Sequence, residues 1–290
     1  MGSGPQNTVW IAGAAGRMGQ AIVQFLDHSH YNVLATDAEV DVANLREAME
    51  FAEAHHPDFV INCAALASRT EADKNPDKAY RINTLGARNL AIASNSLGAV
   101  LVHLSTDDLF PENGDHAFNE FDLTNPPHVY GKSKQAGERF VRELNQRHII
   151  VRSSWVYTAL PDDKLGRALA ASAQGKTVPV PANQFACPTS VDTFAKFVIA
   201  AMESGEFGTF HAACTGVTSR FEFFERAFAL AGQPTGNLRG TANPWQGYRI
   251  ELDDMMARLT GVYEFPTWED DLAAFAAAHD LSALATGSTK

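Results

Sequence analysis

A doubly wound, parallel α/β sheet followed by a smaller C-terminal domain is what this 290-residue sequence predicts. Three observations carry that expectation. Short apolar runs alternate with helix-periodic stretches through the first half, the pattern of βαβ units. The first run breaks into Gly13-Ala14-Ala15-Gly16-Arg17-Met18-Gly19 and resumes with helical spacing. Beyond about residue 157 the alternation loosens, and loop signals appear at Pro161-Asp162-Asp163, Val178-Pro179-Val180-Pro181 and Asn243-Pro244-Trp245.

Taken in order, Thr8–Ala12 reads as a strand and Met18–Leu26 as a helix with Met18, Ile22, Phe25 and Leu26 on its inner face. Asn32–Thr36 is a second strand, Leu45–Ala54 a helix and Phe59–Ile61 a third strand. Asn75-Pro76 opens a long helical stretch ending at Leu97, with proline where a first turn tolerates it. Val100–Leu104 is a fourth strand that runs into Ser105-Thr106-Asp107-Asp108. Tyr130–Leu144 is a helix and Ile149–Val151 a fifth strand. In the second half Phe194–Met202 and Phe221–Ala231 read as helices, and Gly208–Ala212 as a short strand. Residues 285–290 read as a loose tail.

Composition bounds the function classes. Hydrophobic residues make up 45% and charged residues 20%, ordinary for a chain that buries a core. A net charge of −11 repels nucleic acid overall, though a few local cations can still hold one small anion. Cys63, Cys187 and Cys214 fit no zinc or disulfide spacing, so no metal is expected and a reducing compartment is. With no apolar stretch of membrane-spanning length and no signal-like start, the expectation is a cytoplasmic protein without a membrane partner.

The glycines have a physical reading. Gly13 lets the chain turn sharply out of the first strand, Gly16 lets backbone approach a pyrophosphate, and Gly19 lets the helix pack close to the sheet. The helix start then offers free N–H groups and a positive dipole end to phosphate. Asp37 closes the second strand about twenty residues on, where a carboxylate bonds ribose hydroxyls and favours NAD. Arg17 inside the loop could instead hold a 2′-phosphate and favours NADP, so the subtype stays open. The expected division is a dinucleotide-binding Rossmann-type domain over 1–157 and a mainly substrate-binding domain over 158–290, with segments near 183–215 returning to the first.

In "HVYGKSKQAGERF", Tyr130 and Lys134 stand four apart on one helix face. A tyrosine with a pKa near 10 is a poor acid–base at neutral pH. A neighbouring ammonium would stabilise its phenolate and make it a proton donor for a carbonyl under reduction, and the same lysine could reach the nicotinamide ribose. Thr106, at the end of the fourth strand, could bond the carbonyl oxygen and position it against Tyr130. Asn83 is of the type that holds a water behind such a relay.

With these residues in place, the chain resembles the extended short-chain dehydrogenase/reductases, and among them the dTDP-4-dehydrorhamnose reductases. The similar strings run in family order over roughly residues 8 to 270: "GAAGRMG", "DFVINCAAL", "AYRINTLGARNLA", "LVHLSTDDLF", "FNEFDLTNPPHVYGKSKQAGE", "VRSSWVY", "NQFACPTS" and "GTFHAACTGVTSRFEFFERAF". The opening string is also similar to dihydrodipicolinate reductases, but those carry no such tyrosine–lysine helix, and His55-His56 does not supply their histidine signature. The resemblance implies Thr106, Tyr130 and Lys134 as the catalytic three. It places Gly13, Gly16, Arg17, Met18, Asp37, Asp41, Ala64, Ala65, Asn83, Ser105 and Lys134 along the cofactor, and Ser154 and Trp155 at the sugar pocket. Members of the family commonly pair, which leaves a homodimer open.

The departures from the family pattern fall on the substrate side. Asp108 stands where the rhamnose-forming enzymes have a tyrosine, and Arg69-Thr70 where a Val-Asp pair is usual. Thr158-Ala159-Leu160-Pro161 replaces a Gly-Asn-Asn-Phe-like segment, and the Arg-Pro element that closes the pocket is absent around Pro244–Tyr248. Arg69 could pair with Asp108 or grip an anionic substrate group. The expectation is an NAD(P)-dependent reductase of a small-molecule carbonyl substrate. Two alternatives stand beside it. One is a nucleotide-binding regulatory subunit similar to that of methionine adenosyltransferase; the other is a nucleotide-sugar epimerase or dehydratase using Asp107-Asp108.

Overall fold

A computed structural model describes residues 7–243 and 246–286. The first half lays down strand and helix in turn: β1 (Asn7–Ala12), α1 (Arg17–Phe25), β2 (Tyr31–Thr36), α2 (Leu45–His55), β3 (Phe59–Asn62) and α3 (Arg69–Lys74). There follow α4 (Pro76–Ala79), a π-helix over Tyr80–Gly86, α5 (Ala87–Leu97), β4 (Val100–Thr106), α6 (Val129–Leu144) and β5 (His148–Ser153). The second half is shorter-grained: β6 (Val156–Tyr157), α7 (Lys164–Ala173), β7 (Val178–Pro181), β8 (Gln184–Ala186), β9 (Thr189–Ser190), α8 (Val191–Ser204) and β10 (Gly208–Ala212). It closes with β11 (Thr218–Ser219), α9 (Arg220–Leu230), β12 (Leu238–Thr241), β13 (Tyr248–Arg249), α10 (Met255–Thr260), α11 (Trp268–Ala278) and α12 (Leu281–Thr286).

The strands pair in parallel in the order β2-β1-β3-β4-β5-β10. Side chains alternate across the sheet with a period of two, and both faces are covered, as a parallel sheet requires. On β1, Val9 and Ile11 pack on one side with Ile22 of α1 and Phe194 of α8, while Trp10 and Ala12 pack on the other with Ala48 of α2 and Leu90 of α5. From β1 the chain goes out to β2 and returns across β1 to β3. The connections that leave β1 and β3 therefore run to opposite faces of the sheet, and the crevice above those strand ends is where such sheets hold their ligands.

Two elements differ from expectation. The stretch from Pro76 to Leu97 is helical but widens over Tyr80–Gly86, because α6 lies very close to it: a Cβ on Gly137 would stand 2.5 Å from the Asn83 carbonyl. The wider turn carries Asn83 towards Leu66 and Ser133, a tertiary demand that periodicity does not register. The expected loose tail begins as α12, with Leu281, Leu284 and Ala285 buried; residues 287–290 lie outside the described residues. Pro244 and Trp245 of the expected loop also lie outside them. No helix among the described residues is long and apolar enough to cross a membrane.

A buried carboxylate ties α11 to β6, β9 and the start of α8. Asp271 of α11 accepts from the Tyr157 hydroxyl (2.7 Å), the Ser190 amide (2.6 Å) and hydroxyl (2.7 Å), and the Thr193 hydroxyl (2.5 Å). Asp271→Ala strands four donors in a dry interior, and should lower stability by about 3 kcal/mol, read as a reduced urea midpoint.

Candidate active site

The crevice between β1 and β3 is floored by backbone. Gly13 sits at φ +78°, and a Cβ there would lie 2.6 Å from the Ala64 amide nitrogen; one on Gly19 would lie 2.6 Å from the Gly13 carbonyl. These contacts press the turn after β1 against both α1 and the Ala64-Ala65 segment after β3. No side chain caps α1 at Gly16, so the N–H groups of its first turn stay available. Asp37 and Asp41 stand beyond the end of β2: Asp37 is exposed, and Asp41 accepts from the Ala43 amide (3.0 Å) and pairs with Arg81. These residues fit the diphosphate and adenosine ends of a dinucleotide.

Arg17 is the first residue of α1, and its guanidinium turns to Asp163 at 3.1 Å. Its expected partner, a 2′-phosphate near Asp37, is not where this side chain points. Met18 lines the same cavity, which encloses about 700 Å³ and brings together Thr106, Asp107, Asp108, Tyr130, Ser154 and Trp155. A separate cavity of about 560 Å³ holds none of the residues singled out from sequence, and its Arg258 is neutralised by Asp253 (3.0 Å) and Asp254 (3.1 Å).

Thr106 ends β4 with its hydroxyl accepting from the Asp108 amide (3.2 Å), donating to Asp107 (3.3 Å) and standing beside the Tyr130 phenol. Tyr130 is half-buried at the start of α6, and burial together with the Asp108 charge holds its phenol above the usual range. The expected lowering by Lys134 is not supplied. The two residues share a helix face, but Lys134 is only 2% exposed and is drawn to the Leu104 carbonyl and to His103. Burial pulls its own pKa down to about 8. Asn83 is likewise spent on protein: its carboxamide accepts from the Leu66 amide (2.8 Å) and donates to Ser133 (2.9 Å), which ties the π-helix to α6. Ser105 is buried at the pocket floor; the Glu138 carboxylate senses its hydroxyl, which has no partner of hydrogen-bonding geometry.

On the substrate side the structure pairs Arg69 with Asp108 through two N–H groups, Nε at 3.0 Å and Nη2 closer still. Arg69 Nη1 also reaches Glu112 at 2.9 Å, and its guanidinium lies 5.1 Å from the centre of the Tyr248 ring. Ser154 donates to Asp107 at 2.8 Å and so supports a carboxyl rather than standing free. Burial, and then the Asp108 charge, push Asp107 up to about 7. Trp155 donates to the Tyr248 hydroxyl at 2.9 Å, while Arg220 stacks on its indole at 3.9 Å.

Sequence reasoning missed Asp163, Lys164, Arg220 and Tyr248. A signal for three of them exists in the helix starts. Asp163 and Ser219 are caps, and the residue after each is basic, as is the residue after Gly16 and after Ser68. Four helices thus open with Arg17, Arg69, Lys164 and Arg220, all lining the one cavity. A cation at a helix start opposes the macrodipole. Repulsion from Arg220, with burial, brings Lys164 down to about 8.

Comparison with known proteins gives this site a family. The profile of the RmlD substrate binding domain matches residues 7–280. The spore coat polysaccharide biosynthesis protein SpsK of Bacillus subtilis is 32% identical over 238 residues, covering 82% of this chain and 84% of its own. The dTDP-4-dehydrorhamnose reductase of Escherichia coli is 31% identical over 227 residues, 75% of this chain and 76% of that one. Among solved structures, dTDP-4-dehydrorhamnose reductase from Bacillus anthracis in complex with NADP superposes with a TM-score of 0.90 at 30% identity, covering 95% of this chain and all of that one. The chain belongs to the RmlD substrate binding domain family.

Asp107 gives the site a pH signature. A carboxyl raised to about 7 in the fold contributes stability that is complete below its unfolded value of about 4 and is lost as pH rises through 7. Asp107→Asn cannot ionise. Urea midpoints should therefore fall less steeply for the variant than for the wild type between about pH 4 and pH 7, and the two curves should run parallel above that.

Proposed function

From that membership we propose that this chain is an NAD(P)-dependent oxidoreductase of the extended short-chain dehydrogenase/reductase type. It reduces a carbonyl of a sugar nucleotide such as dTDP-4-dehydrorhamnose. The observation that carries the reading is that Thr106 and Tyr130 line one cavity with Arg17 and Met18, the first two residues of the uncapped α1 that follows the glycine turn. Gly13, Gly16, Met18, Gly19, Ala64 and Ala65 would hold the dinucleotide's central part, with Asp37 and Asp41 towards its adenosine. Bound there, a nicotinamide supplies the hydride.

The chain's own residues do the rest. Tyr130 keeps its proton because burial disfavours phenolate, and it releases that proton only to a strongly basic oxygen such as a developing alkoxide. Thr106, fixed by Asp107 and the Asp108 amide, orients the carbonyl. The basic helix starts suit a substrate that brings its own negative charge, as a nucleoside diphosphate does. A cytoplasmic location belongs to the same proposal.

The epimerase or dehydratase alternative needs acid–base groups free to reach substrate. Asp108 is engaged by Arg69, and Asp107 is held by Ser154 and Thr106. A regulatory subunit would have no chemical need for the Thr106–Tyr130 arrangement. Relatives named as reductases support the reductase reading instead.

The test follows A340 with NADH and NADPH in turn against a keto-sugar nucleotide panel that includes dTDP-4-dehydrorhamnose. Consumption is expected with a keto-sugar nucleotide, and Tyr130→Phe should lower kcat by at least about 100-fold while NAD(P)H affinity stays near wild type. A fully active Tyr130→Phe would overturn the assignment.

A further inference from the structure

Lys134 sits in a wired environment that the reaction scheme does not explain. Five nitrogens and two oxygens form a chain whose donor directions can be read one after another. The Ala64 amide donates to Asn62 Oδ1 at 3.1 Å, which fixes the carboxamide with its NH2 group towards β4. That NH2 lies 3.0 Å from His103 Nδ1, so Nδ1 must accept. His103 is fully buried, and burial together with the Lys134 charge keeps it neutral, its pKa far below the ordinary value. A neutral ring with a bare Nδ1 carries its proton on Nε2. That N–H faces Lys134 Nζ at 3.4 Å, and Lys134 itself donates to the Leu104 carbonyl.

An ammonium at this place would meet one acceptor and one opposing N–H. A neutral amine has a lone pair for His103 and an N–H for Leu104. The one carboxylate that favours the ammonium, Glu138, does not overcome burial. Glu138, one turn along α6, is engaged by Arg152 (3.0 and 2.9 Å) and Arg142 (2.6 Å), which keep it ionised against burial. Cys63, from the end of β3, has its thiol pushed up to about 12 by burial and brings no charge. We propose that His103, its tautomer fixed by Asn62, is a positioning residue that destabilises the Lys134 ammonium and so sets the lysine's protonation in the cofactor-free protein. The depressed lysine pKa of about 8 agrees with the wiring. The function proposed above gives Lys134 no step, so the wiring stands apart from that reading.

The test is NMR of the cofactor-free protein. Side-chain 15N spectra of His103 should show the Nε2–H tautomer. The Lys134 Cε–Nζ signals, identified by their loss in Lys134→Gln, should titrate about two pH units below exposed lysines. Asn62→Asp offers an acceptor to Nδ1–H, turns Nε2 into an acceptor for the ammonium, and should raise the Lys134 midpoint by at least about one unit. A wild-type Nδ1–H tautomer, or a Lys134 that titrates with the exposed lysines, overturns the proposal even should Asn62→Asp fail to fold. An unmoved midpoint in folded Asn62→Asp overturns it too.

Discussion

Positive charge gathered at one cavity is the constraint on which this site depends. The first residues of α1, α3, α7 and α9 are Arg17, Arg69, Lys164 and Arg220, and each adds a full charge to a helix end that is already positive. Such an arrangement persists only where anions offset it. Asp163 holds Arg17, and Asp108 and Glu112 hold Arg69. Lys164 and Arg220 repel one another instead, and Lys164 answers by holding its proton less tightly. In a chain of net charge −11, the residual positive potential is local and selects small anions rather than polyanionic surfaces.

The fold was legible where short-range rules act alone. The strands from β1 to β5 lie within two residues of their expected bounds, and α1, α2 and α6 within one, because a parallel sheet buried on both faces demands continuous apolar runs and its helices demand amphipathic ones. It was not legible where tertiary contact decides. The π-helix answers to the approach of Gly137, while Asp163 at the start of α7 reaches back to Arg17 and Asp271 of α11 to Tyr157, both far off in sequence. Thr106, Tyr130 and the glycine turn were readable because their spacing is local. The direction of Lys134 was not: its acceptor and its opposing N–H come from β4, thirty or so residues back.

The substitutions that set this chain apart from the rhamnose-forming pattern form one electrostatic unit. Asp108 in place of an aromatic would be an uncompensated charge beside Tyr130, and Arg69 supplies the partner with two parallel hydrogen bonds. Removing Arg69 alone would leave Asp108 free to raise the Tyr130 phenol further, since that charge already pushes it up. The pair thus couples the Arg69–Asp108 contact to the acidity of the Tyr130 phenol, so neither residue is open to independent change.

The same charges bear on the direction of reaction. Oxidising an alcohol needs a base, and both candidates are held protonated: the Tyr130 phenol by burial and Asp108, and Asp107, up to neutrality, by burial and Asp108 again. Lys134, which could have favoured phenolate, is engaged by the Leu104 carbonyl. Reducing a carbonyl needs the opposite, a proton that stays in place until an alkoxide develops. A buried phenol beside a carboxylate meets that need at neutral pH. Rising pH would ionise Asp107 first, the more acidic of the two.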